Sequence, residues 1–183
     1  HSVLADIRLS EILQSVGAQY KIPIGNLISD RLIFSSRADF ETIADDGRSD
    51  RYTLGISRNE AWGPLQRRLY MNYQHEDFSL GDNDKKVNFF IPGFTLSQLR
   101  ADDILFPRRA YSWSADLRGA PGLVSDTSFA RIELAGQRMF PLGERGRLLL
   151  RSRLGAMSVE DFTLLPTTER FFAGGDQSVR GYG

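Results

Sequence analysis

Few residues in this chain have the types and spacing that chemistry requires. His75 lies in Tyr-Gln-His-Glu-Asp-Phe, where an imidazole beside acids could act as a general base or a metal ligand. The only other histidine is His1 and there is no cysteine, so His75 has no ligand set to join and reads as a strand-end or loop histidine. Two acidic stretches, Ala-Asp-Asp-Gly-Arg-Ser-Asp at 44–50 and Asp-Asn-Asp-Lys-Lys at 82–86, carry calcium-loop residue types. Neither has the ligand spacing of about twelve residues with its closing Glu. Asp46-Gly47 and Gly81-Asp82 read as hairpin turns instead. No GxSxG elbow, HExxH helix or GxxxxGK[ST] phosphate loop occurs. The expectation is a protein that is not an enzyme, with no catalytic, cofactor-binding or metal-binding residues and no cofactor.

The densest unusual stretch is 169–183, Glu-Arg-Phe-Phe-Ala-Gly-Gly-Asp-Gln-Ser-Val-Arg-Gly-Tyr-Gly. Gly174, Gly175 and Gly181 let the backbone turn sharply on both sides of Arg180, and Val179 and Tyr182 give that arginine apolar shoulders. The chemistry on offer is a guanidinium presented by a compact turn. Its planar fork suits a carboxylate, and away from solvent it needs an acidic or carbonyl partner.

What positions such a turn is β-structure. Period-two alternation runs along most of the chain, and helical periodicity is nearly absent. Tyr52, Leu54 and Ile56 alternate with Arg51, Thr53, Ser57 and Asn59; Ala130, Ile132 and Leu134 alternate with Arg131, Glu133 and Gln137. Leu148, Leu150, Leu154 and Ala156 share one strand face, and Arg147, Arg151 and Arg153 share the other. That arginine face must meet water or carboxylates, because an unpaired buried charge is too costly. Glu133 is the neighbour expected on the adjoining strand.

Turn signals divide the chain into roughly nine strands, near 2–10, 15–24, 30–41, 49–60, 64–77, 86–99, 108–118, 127–140 and 145–158. Their lengths are near the ~9–11 residues of a tilted membrane-crossing strand. Short connections carrying Gly or Pro alternate with the longer polar stretches FETIADDGRSD, HEDFSLGDNDKK and GAPGLVSD, as tight periplasmic turns and long outer loops would. Trp62, Phe106 and Phe140 gather at the short-turn end, as in an interfacial girdle. The leucine faces are then expected to meet lipid and the arginine faces the barrel interior.

Composition bounds the alternatives. The 183 residues suffice for one domain, and a formal net charge of zero argues against nucleic acid. The 41% hydrophobic content suits a soluble protein or a barrel with a polar interior, and no apolar run is long enough for a transmembrane helix. His1-Ser2-Val3 reads as the interior of a longer sequence rather than a leader. A soluble β-sandwich binding module shows the same alternation with its apolar face inward.

Arg170-Phe171-Phe172-Ala173-Gly174-Gly175-Asp176, followed by Ser178-Val179-Arg180-Gly181-Tyr182, resembles the sixth-loop motif of the bacterial outer-membrane assembly and two-partner-secretion superfamily, the bacterial surface antigen family. YKIPI (20–24), FFIPGFTLSQLR (89–100) and LFPRRAYSWSAD (105–116) are similar to strands of its TamA-type barrels. The resemblance implies an all-β, antiparallel up-and-down barrel: 1–158 would be about nine of sixteen transmembrane strands, the third to the eleventh, and 159–183 the sixth extracellular loop. It implies a loop folded back into the interior, with Arg180 on the inner wall, and POTRA domains and further strands outside these residues. It also implies a bacterial outer-membrane location, lipid contact, unfolded outer-membrane protein substrates such as autotransporters, and an inner-membrane-anchored TamB-like partner. A two-partner secretion pore and a lipase-fused barrel are the other branches.

Overall fold

The computed structural model describes residues 1–25, 29–43, 47–80, 83–103, 105–143, 146–165 and 169. They form the strands β1 (Ser2–Leu9), β2 (Leu13–Pro23), β3 (Arg31–Ile43), β4 (Gly47–Trp62), β5 (Leu65–Leu80), β6 (Asn83–Ala101), β7 (Ala110–Ala120), β8 (Phe129–Leu142) and β9 (Gly146–Val159). All pair antiparallel with their chain neighbours, in the order β1 to β9, in one nine-stranded open sheet. The up-and-down all-β architecture and the number and order of strands follow the alternation read from the sequence.

Strand length is where the sequence misleads. Two of the three stretches expected to be long loops are ladder: β3 runs to Ile43, β4 starts at Gly47, β5 runs to Leu80 and β6 starts at Asn83. Their polar residues pair across strands, as in Arg48 with Ser79 and Asp77 with Lys86. A ladder of polar residues can rise into water at no desolvation cost, so charge there does not mark a loop. The third stretch is a true connection, residues 121–128. It covers the part of β6 that rises beyond β7: Phe90 N donates to Ser125 Oγ at 3.0 Å and Asp126 N to the Asn88 carbonyl at 3.1 Å.

At the opposite end the β4–β5 and β8–β9 turns are tight, whereas the β2–β3 and β6–β7 connections run over 24–30 and 102–109, so the expected alternation of short turns with long loops does not hold. Gly63 (φ 59°) and Gly143 (φ 64°) take left-handed conformations that a side chain would strain. Between β6 and β7, Asp102 Oδ1 accepts the N–H groups of Asp103, Arg108 and Arg109 at 3.1, 3.0 and 3.0 Å, and Asp103 Oδ1 accepts those of Leu105 and Phe106 at 2.7 and 2.8 Å. Trp62 and Phe106 are exposed at this end, and the Arg67 and Arg138 guanidinium groups lie over the rings of Trp62 and Phe140 at 5.7 and 4.9 Å.

Register sorts the side chains onto two faces. Tyr52, Leu54, Ile132, Leu134, Leu148, Leu150 and Leu154 are exposed on one, and Ile56, half-buried, shares it through its pairing with Phe34 and Met71. Arg131 and Glu133 lie on the other, with Arg147, Arg151 and Arg153 opposite Pro141, Gln137 and Ala135. The two sets of residues expected to part onto opposite faces therefore do so. The buried cluster is Phe78, Val87, Phe89, Ile91, Ala120, Phe129 and Leu165. It lies on the same face as the arginines, whereas among the described residues nothing packs on the leucine face.

Candidate functional site

The site is the polar face where the segment after β9 comes to rest. Phe78 on β5, Val87, Phe89 and Ile91 on β6, Ala120 at the end of β7 and Phe129 at the start of β8 form an apolar floor near the long-connection end. Phe89 and Phe129 contact at 6.1 Å between ring centroids. Leu165, fully buried, fills this floor, with Met157, Val159 and Leu164 packed around it. The approach is fixed by backbone contacts: Glu160 N donates to the Ser128 carbonyl at 3.0 Å and Asp161 N to Thr127 Oγ1 at 3.1 Å.

Next to the apolar floor lies an ionic lattice. Asp116 on β7 accepts Tyr70 Oη at 3.0 Å, Thr95 Oγ1 at 2.7 Å and Arg118 Nε at 2.8 Å. Arg118 Nη1 reaches Glu169 Oε1 at 3.3 Å. Arg131 Nη1 reaches Glu169 Oε2 at 3.3 Å and donates to the Glu169 carbonyl at 2.9 Å, while its Nη2 reaches Glu133 at 2.7 Å. Arg153 on β9 adds Glu133 Oε1 at 3.5 Å. The three guanidinium groups thus meet three carboxylates across β7, β8, β9 and the incoming segment. Charges in such surroundings are tolerable because each is paired. Gly93 on β6 makes room for this: a Cβ there would enter the Tyr70 ring, so the phenol lies flat along the wall and reaches Asp116.

A second lattice lies across β1 to β5. Arg37 meets Asp6 at 3.3 Å and Ser15 at 2.9 Å; Arg51 meets Asp39 at 3.8 Å, Glu41 at 3.9 Å and Glu76 at 3.6 Å. Glu76, fully buried, also accepts Ser49 Oγ and Gln74 Nε2, each at 3.1 Å.

Of the polar-face arginines, Arg153 has the Glu133 neighbour expected for it. Arg147 instead donates to the Pro107 carbonyl at 3.0 Å, and the Arg151 side chain is exposed. His75 sits on the opposite face, stacked on Tyr52 with ring centroids 6.4 Å apart and bonded to Asn88 Oδ1 at 2.9 Å. Asp46 and the Gly81-Asp82 pair lie outside the described residues, as do Phe171, Phe172, Gly174, Gly175, Asp176, Val179, Arg180, Gly181 and Tyr182. Sequence reasoning overlooked Glu169, the described residue just before that motif. The available signal was an acid directly before the Arg170 motif, in a chain whose polar faces carry Arg118 and Arg131. Among the described residues no group of His, Cys, Asp and Glu could hold a metal ion.

The arrangement is a wall that grips an incoming chain with an apolar pocket and a two-arginine clamp. Compared with known families, residues 26–183 match the Omp85 superfamily domain.

Proposed function

We propose that this chain, which belongs to the Omp85 superfamily, is the barrel wall of a TamA-type factor that helps insert or translocate other β-barrel proteins, autotransporters among them. Superfamily membership supports outer-membrane protein assembly or translocation in general, and an outer-membrane location with it. The observation that carries the membrane reading is the inverted distribution of side chains. Leucines such as Leu54, Leu134 and Leu154 are open on one face, while the buried charges Glu76, Arg131 and Glu169 lie on the other. A soluble sandwich would bury the leucines and hydrate the arginines. A lipid-embedded barrel does the reverse.

In this reading the tight turns with their aromatic girdle face the periplasm and residues 121–128 face outward. The sixth loop enters the interior along the wall, held by Leu165 and Glu169, and carries the Arg180 motif to its own acidic or carbonyl partner. No covalent step and no cofactor take part. The substrate's folding supplies the driving force, and lipid, an unfolded barrel chain and an inner-membrane-anchored TamB-like protein are the partners. The test is the full-length protein in vesicles of phosphatidylethanolamine and phosphatidylglycerol, with urea-unfolded autotransporter barrel added. Faster substrate folding than in empty vesicles is the expected result. Unchanged folding, with export of a dedicated secreted partner instead, would move the chain to the two-partner secretion branch.

A further inference from the structure

Six cationic side chains lie on the apolar face, and four have a carboxylate within reach. Arg48 pairs with Asp50 at 2.7 Å, Lys86 with Asp77 at 2.9 Å, and Arg58 and Arg67 both hold Glu60. Arg100 and Arg138 have no ion pair among the described residues. They occupy one register row, Arg100 opposite Tyr111 and Tyr111 opposite Arg138, so the two arginines flank a tyrosine on β6, β7 and β8. The next row toward the middle of the sheet is Gln98, Trp113 and Gly136, and the one beyond is Leu96, Ala115 and Leu134. On β6 to β8 the row thus puts polar residues beside the apolar band near the β6–β7 connection, while on β9 it continues to Leu150, with Phe140 opposite Leu148 one pair nearer the strand ends. Arg138 lies over the Phe140 ring, one pair nearer that end. Trp113 Nε1 bonds Gln98 Oε1 at 3.2 Å, which fixes an amphipathic ring just above the arginines. Arg100, Asp102, Arg109, Tyr111, Arg138 and Phe140 line a single shallow groove. The Oδ1 atom of Asp102, the acid in that groove, is occupied by the turn's own N–H groups.

We infer that Arg100, Tyr111 and Arg138 form a binding site for the phosphodiester headgroup of an anionic phospholipid in the leaflet at the tight-turn end. The inference rests on the membrane reading above. Two inter-strand spacings separate the arginine backbones by roughly 9–10 Å. Two long side chains can close that gap around one phosphate, each offering a planar fork of donors. Charge explains the choice of ligand. Two guanidinium groups at the edge of an apolar band call for a negative group that itself sits at the edge of an apolar phase, and an anionic lipid headgroup is such a group. The acyl chains would then run over Trp113, Ala115 and Leu134, along the apolar band.

The test uses full-length protein and dioleoyl-phosphatidylglycerol as the probe. Flotation with phosphatidylcholine vesicles comes first, and a protein that fails to float overturns the membrane reading and this site together. Lipid retention is then measured by native mass spectrometry across a phosphatidylglycerol titration. The expected result is that the Arg100→Gln/Arg138→Gln variant binds phosphatidylglycerol at least about tenfold more weakly than the parent. Lys86→Gln, at a paired cation on the same face, should change it by less than about twofold. A floating protein whose double variant retains phosphatidylglycerol like the parent, or whose parent retains phosphatidylcholine equally well, overturns the site alone.

Discussion

Glu169→Ala should release the incoming segment from the wall without dissolving the sheet. The Glu169 carboxylate, 7% exposed, bridges Arg131, 9% exposed, and Arg118, 26% exposed, at 3.3 Å each. Removing one partner of a buried ion pair typically costs about 3–5 kcal/mol, because the other charge is stranded. Here neither arginine is wholly stranded: Arg118 keeps Asp116 at 2.8 Å and Arg131 keeps Glu133 at 2.7 Å. The backbone bond from Arg131 to the residue-169 carbonyl also survives the substitution. The expected loss is therefore lower, about 2–3 kcal/mol. At a factor of ten per 1.4 kcal/mol, that raises the population of the released segment by about 30- to 150-fold.

The reporter is Ala120→Cys in the full-length protein. Ala120 is 3% exposed and shares its buried cluster with Leu165, so a thiol there reacts only when the segment lifts. Maleimide labelling should accelerate by the same factor in the Glu169→Ala background. It should rise less in Glu169→Gln, which keeps an acceptor oxygen and loses a charge at about 1–1.5 kcal/mol. Leu165→Ala empties the apolar pocket and should accelerate labelling too, by about 2–5 kcal/mol of lost packing. Labelling unchanged by Glu169→Ala, while Leu165→Ala raises it, would refute the clamp and leave the apolar pocket as the sole anchor.

The same geometry yields three further expectations. Gly93→Ala drives a Cβ into the Tyr70 ring and should cost about 1–3 kcal/mol by urea unfolding; a double-mutant cycle with Tyr70→Ala should recover most of it, and additive losses would show that the two are not in contact. Leu134→Arg on the apolar face should cost up to about 2–4 kcal/mol in reversible folding into vesicles, whereas Ser114→Gln, on the polar face of the adjoining strand, should stay within about 0.5 kcal/mol; equal costs would remove the lipid-facing assignment. In the β6–β7 turn the Arg109 N–H foremost, with that of Arg108, holds the Asp102 carboxyl below its ordinary value of 3.8. A depressed folded pKa means that the turn's stabilisation is present above the ordinary carboxylate range and is lost as pH falls through the lowered value. A carbon NMR titration of Asp102 should therefore have its midpoint below 3.8, and a midpoint at or above it would break the argument.

The strands were legible because each face selects its own residue type. Leu148, Leu150 and Leu154 against Arg147, Arg151 and Arg153 state a strand and two environments at once. Their boundaries were less legible, since Arg48, Asp50, Asp77 and Lys86 have the composition of a loop and the pairing of a ladder. The apolar floor was hidden for a different reason. Phe78, Val87, Phe89 and Ile91 alternate with Asp77, Lys86, Asn88 and Phe90, so the phase of β5 and β6 looks the same whether the apolar side chains meet lipid or a loop. Only register with β4 and β7 places them on the arginine face. Glu169 was hidden because a single acid becomes a clamp only when two arginines 38 and 51 residues earlier converge on it.

The floor and the clamp also explain each other. An apolar pocket alone would hold Leu165 by burial, which is indifferent to direction, and the residues after it could leave the wall at any angle. A carboxylate alone between two arginines would be drawn back toward water unless something nearby excluded it. Placed four residues apart, Leu165 and Glu169 supply what each other lacks: burial shields the ion triad, and the triad's directed bonds at 3.3 Å fix the heading of the chain. The backbone bond from Arg131 to the Glu169 carbonyl sets that heading at the last residue before the Arg-Phe-Phe-Ala-Gly-Gly run.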